Sequence, residues 1–265
     1  MTKNRSFRFT HFLCRTPSAS VTDGLRAGEG PNPDAGSFAA EHEAYVETLR
    51  RIGGEVTVLP ADERFPDSVF IEDPALIADG KAIVLRPGAA SRLGEAEALR
   101  PSLLSSFGEV VDLPGDGFVD GGDVLLTDEE AFIGRSARTD QAGFDALAGV
   151  LRKLGYEPRR VDTPPEILHF KTECGLLDGE TIFATKALAA TGCFDGYKVI
   201  HAPEGEEAAA NLIRINEHVL MRAGFPKTEA LLRAEGFAVE TISVEEAPKV
   251  DGGLSCMSLR FSLGA

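Results

Sequence analysis

Glu72-Asp73-Pro-Ala-Leu-Ile-Ala-Asp79-Gly80-Lys-Ala-Ile-Val-Leu85 reads as two short apolar runs joined by an Asp-Gly turn, which is the signature of a β-hairpin. Polar residues head it, and the same unit recurs along the chain. A second copy runs Asp120-Gly-Gly-Asp-Val-Leu-Leu-Thr-Asp128-Glu-Glu-Ala-Phe-Ile-Gly134, and a third runs His169-Phe-Lys-Thr-Glu-Cys-Gly-Leu-Leu-Asp178-Gly179-Glu-Thr-Ile-Phe-Ala184. The fourth is Asn211-Leu-Ile-Arg-Ile-Asn216-Glu217-His-Val-Leu-Met221. Its turn residues Asp79, Asp128, Asp178 and Asn216 recur at about 50, 50 and 40 residues, a period that marks repeated supersecondary units.

Helices follow the hairpins. Phe144, Leu147, Leu151 and Leu154 share one face after the second copy, and Thr228 to Glu235 forms a helix after the fourth, stopped by Gly236. Near the N-terminus, Phe38, Tyr45, Leu49 and Ile52 also lie on one helical face, with Ser37 as N-cap and Gly53-Gly54 as stop; Val56 to Leu59 reads as a short buried strand. Cys256 opens a fifth strand that lacks a hairpin partner, and the N-terminal strand Phe7 to Arg15 is left over. Pairing these two closes a ring of five α/β units around an axis. The alternative is a doubly wound open sheet, which repeated tight hairpins fit poorly, since parallel neighbours need long crossovers.

The 265 residues carry 43% apolar content and a formal charge of −15, so the chain can bury a sizeable core. Its charge disfavours nucleic acid and anionic membranes, which call for clustered Lys and Arg. No run approaches the ~18 apolar residues of a membrane span, and Met1 to Thr10 lacks the apolar stretch of a leader. A soluble cytoplasmic protein is expected. Cys14, Cys174, Cys193 and Cys256 form no Cys-x-x-Cys pair, which argues for reduced thiols, and no histidine grouping has metal-ligand spacing. Neither cofactor nor metal is expected. Nothing in the sequence fixes the oligomeric state, and a homodimer stays open.

A closed ring brings the residues heading each copy toward one axis. Glu72, Asp73, Asp120, His169 and Cys256 then share a central pocket. A thiol becomes nucleophilic when its proton is removed, an imidazole shuttles protons, and a carboxylate orients the imidazole. Extra carboxylates beside a thiol raise its pKa, so they suit a protease badly. They suit a small cationic substrate, because carboxylates bind a guanidinium in a two-pronged way and the bound cation favours the thiolate. The stretch from Thr22 to Gly36, rich in Gly, Pro and Asp, reads as a loop over that site.

At this point the motifs carry a resemblance. Phe9-Thr-His-Phe-Leu-Cys-Arg-Thr-Pro-Ser18, Pro66-Asp-Ser-Val-Phe-Ile-Glu-Asp73, Val119-Asp-Gly-Gly-Asp123, Ile133-Gly-Arg-Ser-Ala-Arg-Thr139, Leu168-His-Phe-Lys171 and Leu254-Ser-Cys-Met-Ser-Leu-Arg-Phe261 resemble the dimethylarginine dimethylaminohydrolase family of the guanidino-group modifying (pentein) superfamily. The resemblance implies a five-bladed α/β propeller as a single catalytic domain over residues 1–265. It implies hydrolysis of an N-omega-methylated arginine to citrulline and a methylamine through a covalent thiouronium on Cys256. By the same resemblance His169 is the acid and base and Asp120 orients it, in a slot that can hold Glu in bacterial relatives. Glu72 and Asp73 hold the guanidinium, Asp67 takes the α-amino group, Arg92 and Arg138 grip the α-carboxylate, and Leu25 lies on the closing loop. Arginine deiminases use the same residues but usually carry an added helical domain. Amidinotransferases are disfavoured by length, and a ring-shaped binding protein is the alternative outside enzymes.

Overall fold

The computed structural model describes residues 6–263, so 1–5 of the N-terminal reading and 264–265 of the domain span lie outside the described residues. Strand β1 (His11–Arg15) leads to helix α1 (Ala35–Ile52) and strand β2 (Glu55–Leu59). The next unit is β3 (Ala75–Ala78), β4 (Lys81–Val84), α2 (Glu95–Phe107) and β5 (Val110–Asp112); then come β6 (Val124–Leu126), β7 (Glu130–Arg135), α3 (Gln141–Lys153) and β8 (Glu157–Asp162). The fourth is β9 (Cys174–Leu176), β10 (Thr181–Ala184), α4 (Lys186–Ala189) and β11 (Lys198–His201), and the fifth is β12 (Ile213–Ile215), β13 (His218–Arg222), α5 (Pro226–Ala234) and β14 (Ala238–Ile242). Strand β15 (Leu259–Phe261) is the last element.

These strands form five three-stranded sheets. In each, an antiparallel pair is followed by a helix that returns the chain to a third, parallel strand, as in β3–β4 and then β4–β5. One sheet is built from both ends of the chain. Strand β1 pairs antiparallel with β15, His11 opposite Phe261, and parallel with β2. The expected pairing of the termini is present, with one adjustment: Cys256 sits in a short 3-10 turn (Ser255–Met257), ahead of the strand.

Local chemistry explains most of the elements. Asp79 and Gly80 both take positive φ (48° and 71°), as a two-residue turn between right-twisted strands requires, and Asn216 does so at 52° in the fourth unit. The third copy differs: Leu177 and Asp178 both donate to the Thr181 carbonyl, so its Asp-Gly pair lies inside a longer loop. Asp34, rather than Ser37, caps α1, its carboxylate accepting the Ser37 N–H at 2.7 Å. The expected burial of β2 is wrong, because it is the outer strand of its sheet and most of its side chains face solvent. Helix α5 begins at Pro226, where a missing N–H costs nothing.

Five apolar clusters hold the units together, and each joins a helix to the sheet of the preceding unit. Leu147 and Leu151 of α3 share a cluster with Leu76 and Ile83 of β3 and β4. Leu188 of α4 packs with Phe132 of β7, and Leu232 of α5 with Phe183 of β10. The cycle continues across the termini, since Leu99 and Leu103 of α2 pack with Leu13 and Phe261, and Tyr45 and Leu49 of α1 with Ile213 and Leu220. The leading strands of all five sheets, β3, β6, β9, β12 and β15, line one cavity of about 540 Å³. No helix among the described residues is long and apolar enough to cross a membrane.

Candidate active site

Cys256 is held from both sides. Its N–H donates to the Gly253 carbonyl at 3.2 Å, and its own carbonyl accepts the Glu72 N–H at 3.1 Å. Gly252 has to be glycine here, because a Cβ would fall 2.1 Å from the Phe70 ring. Burial, and then the charges of Asp73 and Glu72, push the Cys256 thiol up to about 12. The free protein therefore holds a neutral thiol.

His169 leads into the turn before β9, and its Nε2 lies 2.9 Å from Asp120 Oδ2. Asp120 is fully buried, and its other oxygen accepts the Gly88 N–H at 2.7 Å. Gly122 lets the histidine approach, since a Cβ there would meet His169 Nδ1 at 2.8 Å. Burial disfavours the imidazolium, yet the carboxylates of Asp73, Asp120 and Asp123 outweigh it and lift His169 to about 9. Near neutral pH the ring is a buried proton donor. Asp123 braces the same corner, accepting from Phe170 N–H, Ser136 and Thr139.

A narrow pocket gathers Cys256 and His169 with Leu25, Asp67, Asp73, Arg92 and Arg138, walled by Phe70, Leu168 and Val250. Seven of the nine residues expected from sequence thus face one space, and Asp120 stands directly behind His169. Asp67 accepts the Leu25 N–H at 2.9 Å and is raised by burial. Burial also works against the Asp73 carboxylate, but Arg92 and His169 hold it below the usual range. Arg138 approaches Asp120 to 3.7 Å and keeps 18% of its side chain exposed.

Two expected roles need correction. Glu72 does not face the pocket: it lines the larger cavity, where its Oε1 pairs with Lys171 at 2.6 Å and with Arg260. Its neighbour Asp73 takes the pocket side, the two residues lying in a turn ahead of β3 in which the Asp73 N–H donates to the Phe70 carbonyl at 3.3 Å. Arg92 is not a free clamp. Its guanidinium is buried between Asp73 and Glu95 and donates to the carbonyls of Asp67 and Phe70, so little of its charge remains for a ligand.

Asn211 is the residue that sequence reasoning missed. It heads the fourth copy, as Asp120 and His169 head theirs, and its amide ties Ser255, beside Cys256, to the carbonyl of Lys171. Arg260 adds a second brace, donating to the carbonyls of Ser255 and Ser258 at 2.8 Å each. Ligand atoms of Asp73, Asp120 and His169 lie within 4.8 Å of one another, the one such cluster among the described residues. Its oxygens are already engaged by Arg92, Gly122, Gly88 and His169, and two cationic groups adjoin it, so it suits a metal ion poorly.

The sequence profile of the family described as "N,N dimethylarginine dimethylhydrolase, eukaryotic" matches residues 35–172. The N(G),N(G)-dimethylarginine dimethylaminohydrolase of Pseudomonas aeruginosa is 38% identical over 96% of this chain and 100% of its own length. The chain belongs to the dimethylarginine dimethylaminohydrolase family. A crystal structure of the Pseudomonas aeruginosa family member, a cysteine-to-serine variant complexed with citrulline, superposes with a TM-score of 0.92 at 38% identity over 96% of this chain and 100% of that one. A histidine-to-glycine dimethylarginine dimethylaminohydrolase, captured as an adduct with S-methyl-L-thiocitrulline, superposes at 0.91 with 37% identity and the same coverage. Over 96% of its length this chain shares its fold with family members solved with citrulline and as an adduct with S-methyl-L-thiocitrulline.

Proposed function

We propose that the protein hydrolyses N-omega-methylated arginine, asymmetric dimethylarginine or monomethylarginine, to citrulline and a methylamine. One observation carries the reading: Cys256, a protonated His169 backed by Asp120, and Asp73 converge on a single pocket from separate repeats. The substrate guanidinium enters beside Asp73. A unit cation about 4 Å from the sulfur is worth ~4 kcal/mol at an effective dielectric near 20, and each tenfold in thiolate fraction takes about 1.4 kcal/mol, so the cation raises the thiolate population roughly a thousandfold. The substrate activates its own nucleophile.

As the cation seats, Cys256 releases its proton to solvent, and the thiolate attacks the guanidinium carbon to give a tetrahedral adduct. His169 gives its proton to the departing methylamine, leaving a thiouronium bound to sulfur. A water molecule replaces the amine; the now neutral His169 takes one of its protons as the water attacks, and collapse expels the sulfur and forms the citrulline carbonyl, the remaining hydroxyl proton passing to the sulfur or to solvent and so restoring the resting state. Asp67 receives the α-amino group, the loop at Leu25 covers it, and Arg138 takes the α-carboxylate with a lesser share from Arg92. Glu72, paired with Lys171 and Arg260, holds the Cys256 turn from behind.

The same reading treats the five sheets as blades of a five-bladed propeller over residues 1–265. The cyclic packing of each helix on the preceding sheet, including α1 on the last one, supports it. Four unpaired cysteines support a reducing, cytoplasmic setting. The test is citrulline release from asymmetric dimethylarginine, monomethylarginine and arginine by the wild type and by His169→Gly. Release from a methylated substrate that His169→Gly lacks is expected. No citrulline from any of the three, or preference for plain arginine, refutes the proposal.

A further inference from the structure

The hydrogen bonds of Asn211 run in directions that its partners force. The Lys171 carbonyl can only accept and the Ser255 N–H can only donate, so the amide nitrogen faces Lys171 at 3.0 Å and the amide oxygen faces Ser255 N at 3.1 Å. The second amide hydrogen goes to Ser255 Oγ, also at 3.0 Å. Ser255 Oγ is therefore an acceptor on that side, and its own hydrogen is left to donate elsewhere. Among the described residues its other partner is Cys256 Sγ, 3.9 Å away.

Ser255 is buried and fixed on every side. Its N–H is on Asn211 and its carbonyl accepts from Arg260 at 2.8 Å. Gly253 makes room for this arrangement, since a Cβ there would fall 2.6 Å from the Asn211 oxygen. A separation of 3.9 Å is long for a hydrogen bond, and a neutral thiol is a weak acceptor. A thiolate accepts only and draws an O–H strongly, and catalytic hydrogen bonds that are long in the free enzyme tighten when the reacting charge appears. That anion needs donors, because Asp73 and Glu72 oppose it and a Gly253 backbone hydrogen bond favours it. The Ser255 hydroxyl is placed to supply another.

We propose that Ser255 is a further catalytic residue, whose hydroxyl donates a hydrogen bond to the Cys256 sulfur when the thiol ionises and again when the thiolate is expelled from the covalent intermediate. No proton or bond is transferred to or from Ser255. The substrate cation and the hydroxyl favour the same anion, the cation arriving with the substrate and the hydroxyl standing ready in the free protein. This role rests on Cys256 being the nucleophile of the proposed reaction.

The test is the rate at which iodoacetamide alkylates Cys256 in the substrate-free full chain as a function of pH, followed by peptide mass mapping, beside kcat and KM for citrulline release from asymmetric dimethylarginine. Ser255→Ala and Ser255→Gly remove the hydroxyl in two ways. Each should slow alkylation at fixed pH about tenfold and move the profile to higher pH, because losing a donor to the anion raises the thiol pKa. The ionisable groups around the sulfur, Asp73, Glu72, Lys171, His169 and Arg260, are the same in every variant. Turnover should fall by about the same factor with KM within about twofold, and Ser255→Thr, which keeps a hydroxyl, should stay within about threefold of the wild type in both readouts. Alkylation of the two hydroxyl-free variants at the wild-type rate, or an equal slowing in Ser255→Thr, would overturn the proposal. Absence of citrulline from the wild type is a separate failure, of the proposed function, and the alkylation rates still decide for or against Ser255.

Discussion

Cys14 and Cys256 are both buried thiols pushed up to about 12, and they differ in the cause. Cys14 lies on β1 within the apolar cluster under α1, and burial alone raises it. Nothing can enter that cluster to reverse the effect. At Cys256, Asp73 and Glu72 add to burial, and the sulfur faces a pocket. An electrostatic contribution from carboxylates can be cancelled by an arriving cation; the contribution from a packed core cannot. On the proposed mechanism, equal resting pKa values conceal one inert thiol and one that a cationic substrate switches on.

Replacing each cysteine gives the widest separation. Cys256→Ser should lower turnover by more than about a thousandfold, as loss of a nucleophile does. Cys14→Ala should leave kcat within about threefold while lowering stability by ~1–2 kcal/mol through lost packing, read from the urea midpoint. Comparable activity losses in the two variants would erase the distinction.

The next effect runs through His169. Asp120→Asn should reduce kcat by about 10²–10⁴, the usual worth of a positioned acid and base. Since the mechanism needs the imidazolium, wild-type kcat should fall as pH rises through about 9. Asp120 contributes to that elevation, so the variant's alkaline limb should lie at lower pH. An unmoved limb would assign it to some other group.

The smallest effect isolates the electrostatics of the thiol. Asp73→Asn removes the charge that, after burial, raises Cys256 most, so iodoacetamide should alkylate Cys256 about tenfold faster near pH ~8 while turnover is lost. Cys14 should stay unlabelled in both proteins. Faster labelling at Cys14 as well would point to general loosening of the fold.

Much of this architecture could be read from the chain because its signals are local. Asp79-Gly80 and Asn216 mark tight hairpins by backbone conformation alone, and their spacing exposes the repeat. Residues heading three of the copies, Asp73, Asp120 and His169, then meet within 4.8 Å of one another. What stayed hidden depends on partners from other sheets. Glu72 and Asp73 are adjacent, and only Lys171 and Arg260, brought in from two other units, decide that Glu72 turns away from the pocket. Arg92 reads as a clamp until Glu95, one turn further on, is seen to neutralise it. Asn211 was within reach, because it heads the fourth copy, but an uncharged amide carries no obvious chemical signal.

The central claim is that a cationic substrate turns Cys256 from a neutral thiol into the group that carries the reaction. It is tested most directly by mixing enzyme with asymmetric dimethylarginine, quenching with acid during turnover, and mapping the adduct by peptide mass spectrometry. The account predicts a thiouronium mass increment on the peptide containing Cys256 and none on those containing Cys14, Cys174 or Cys193. An increment on any of those three, or turnover that leaves every cysteine unmodified at all quench times, would contradict it.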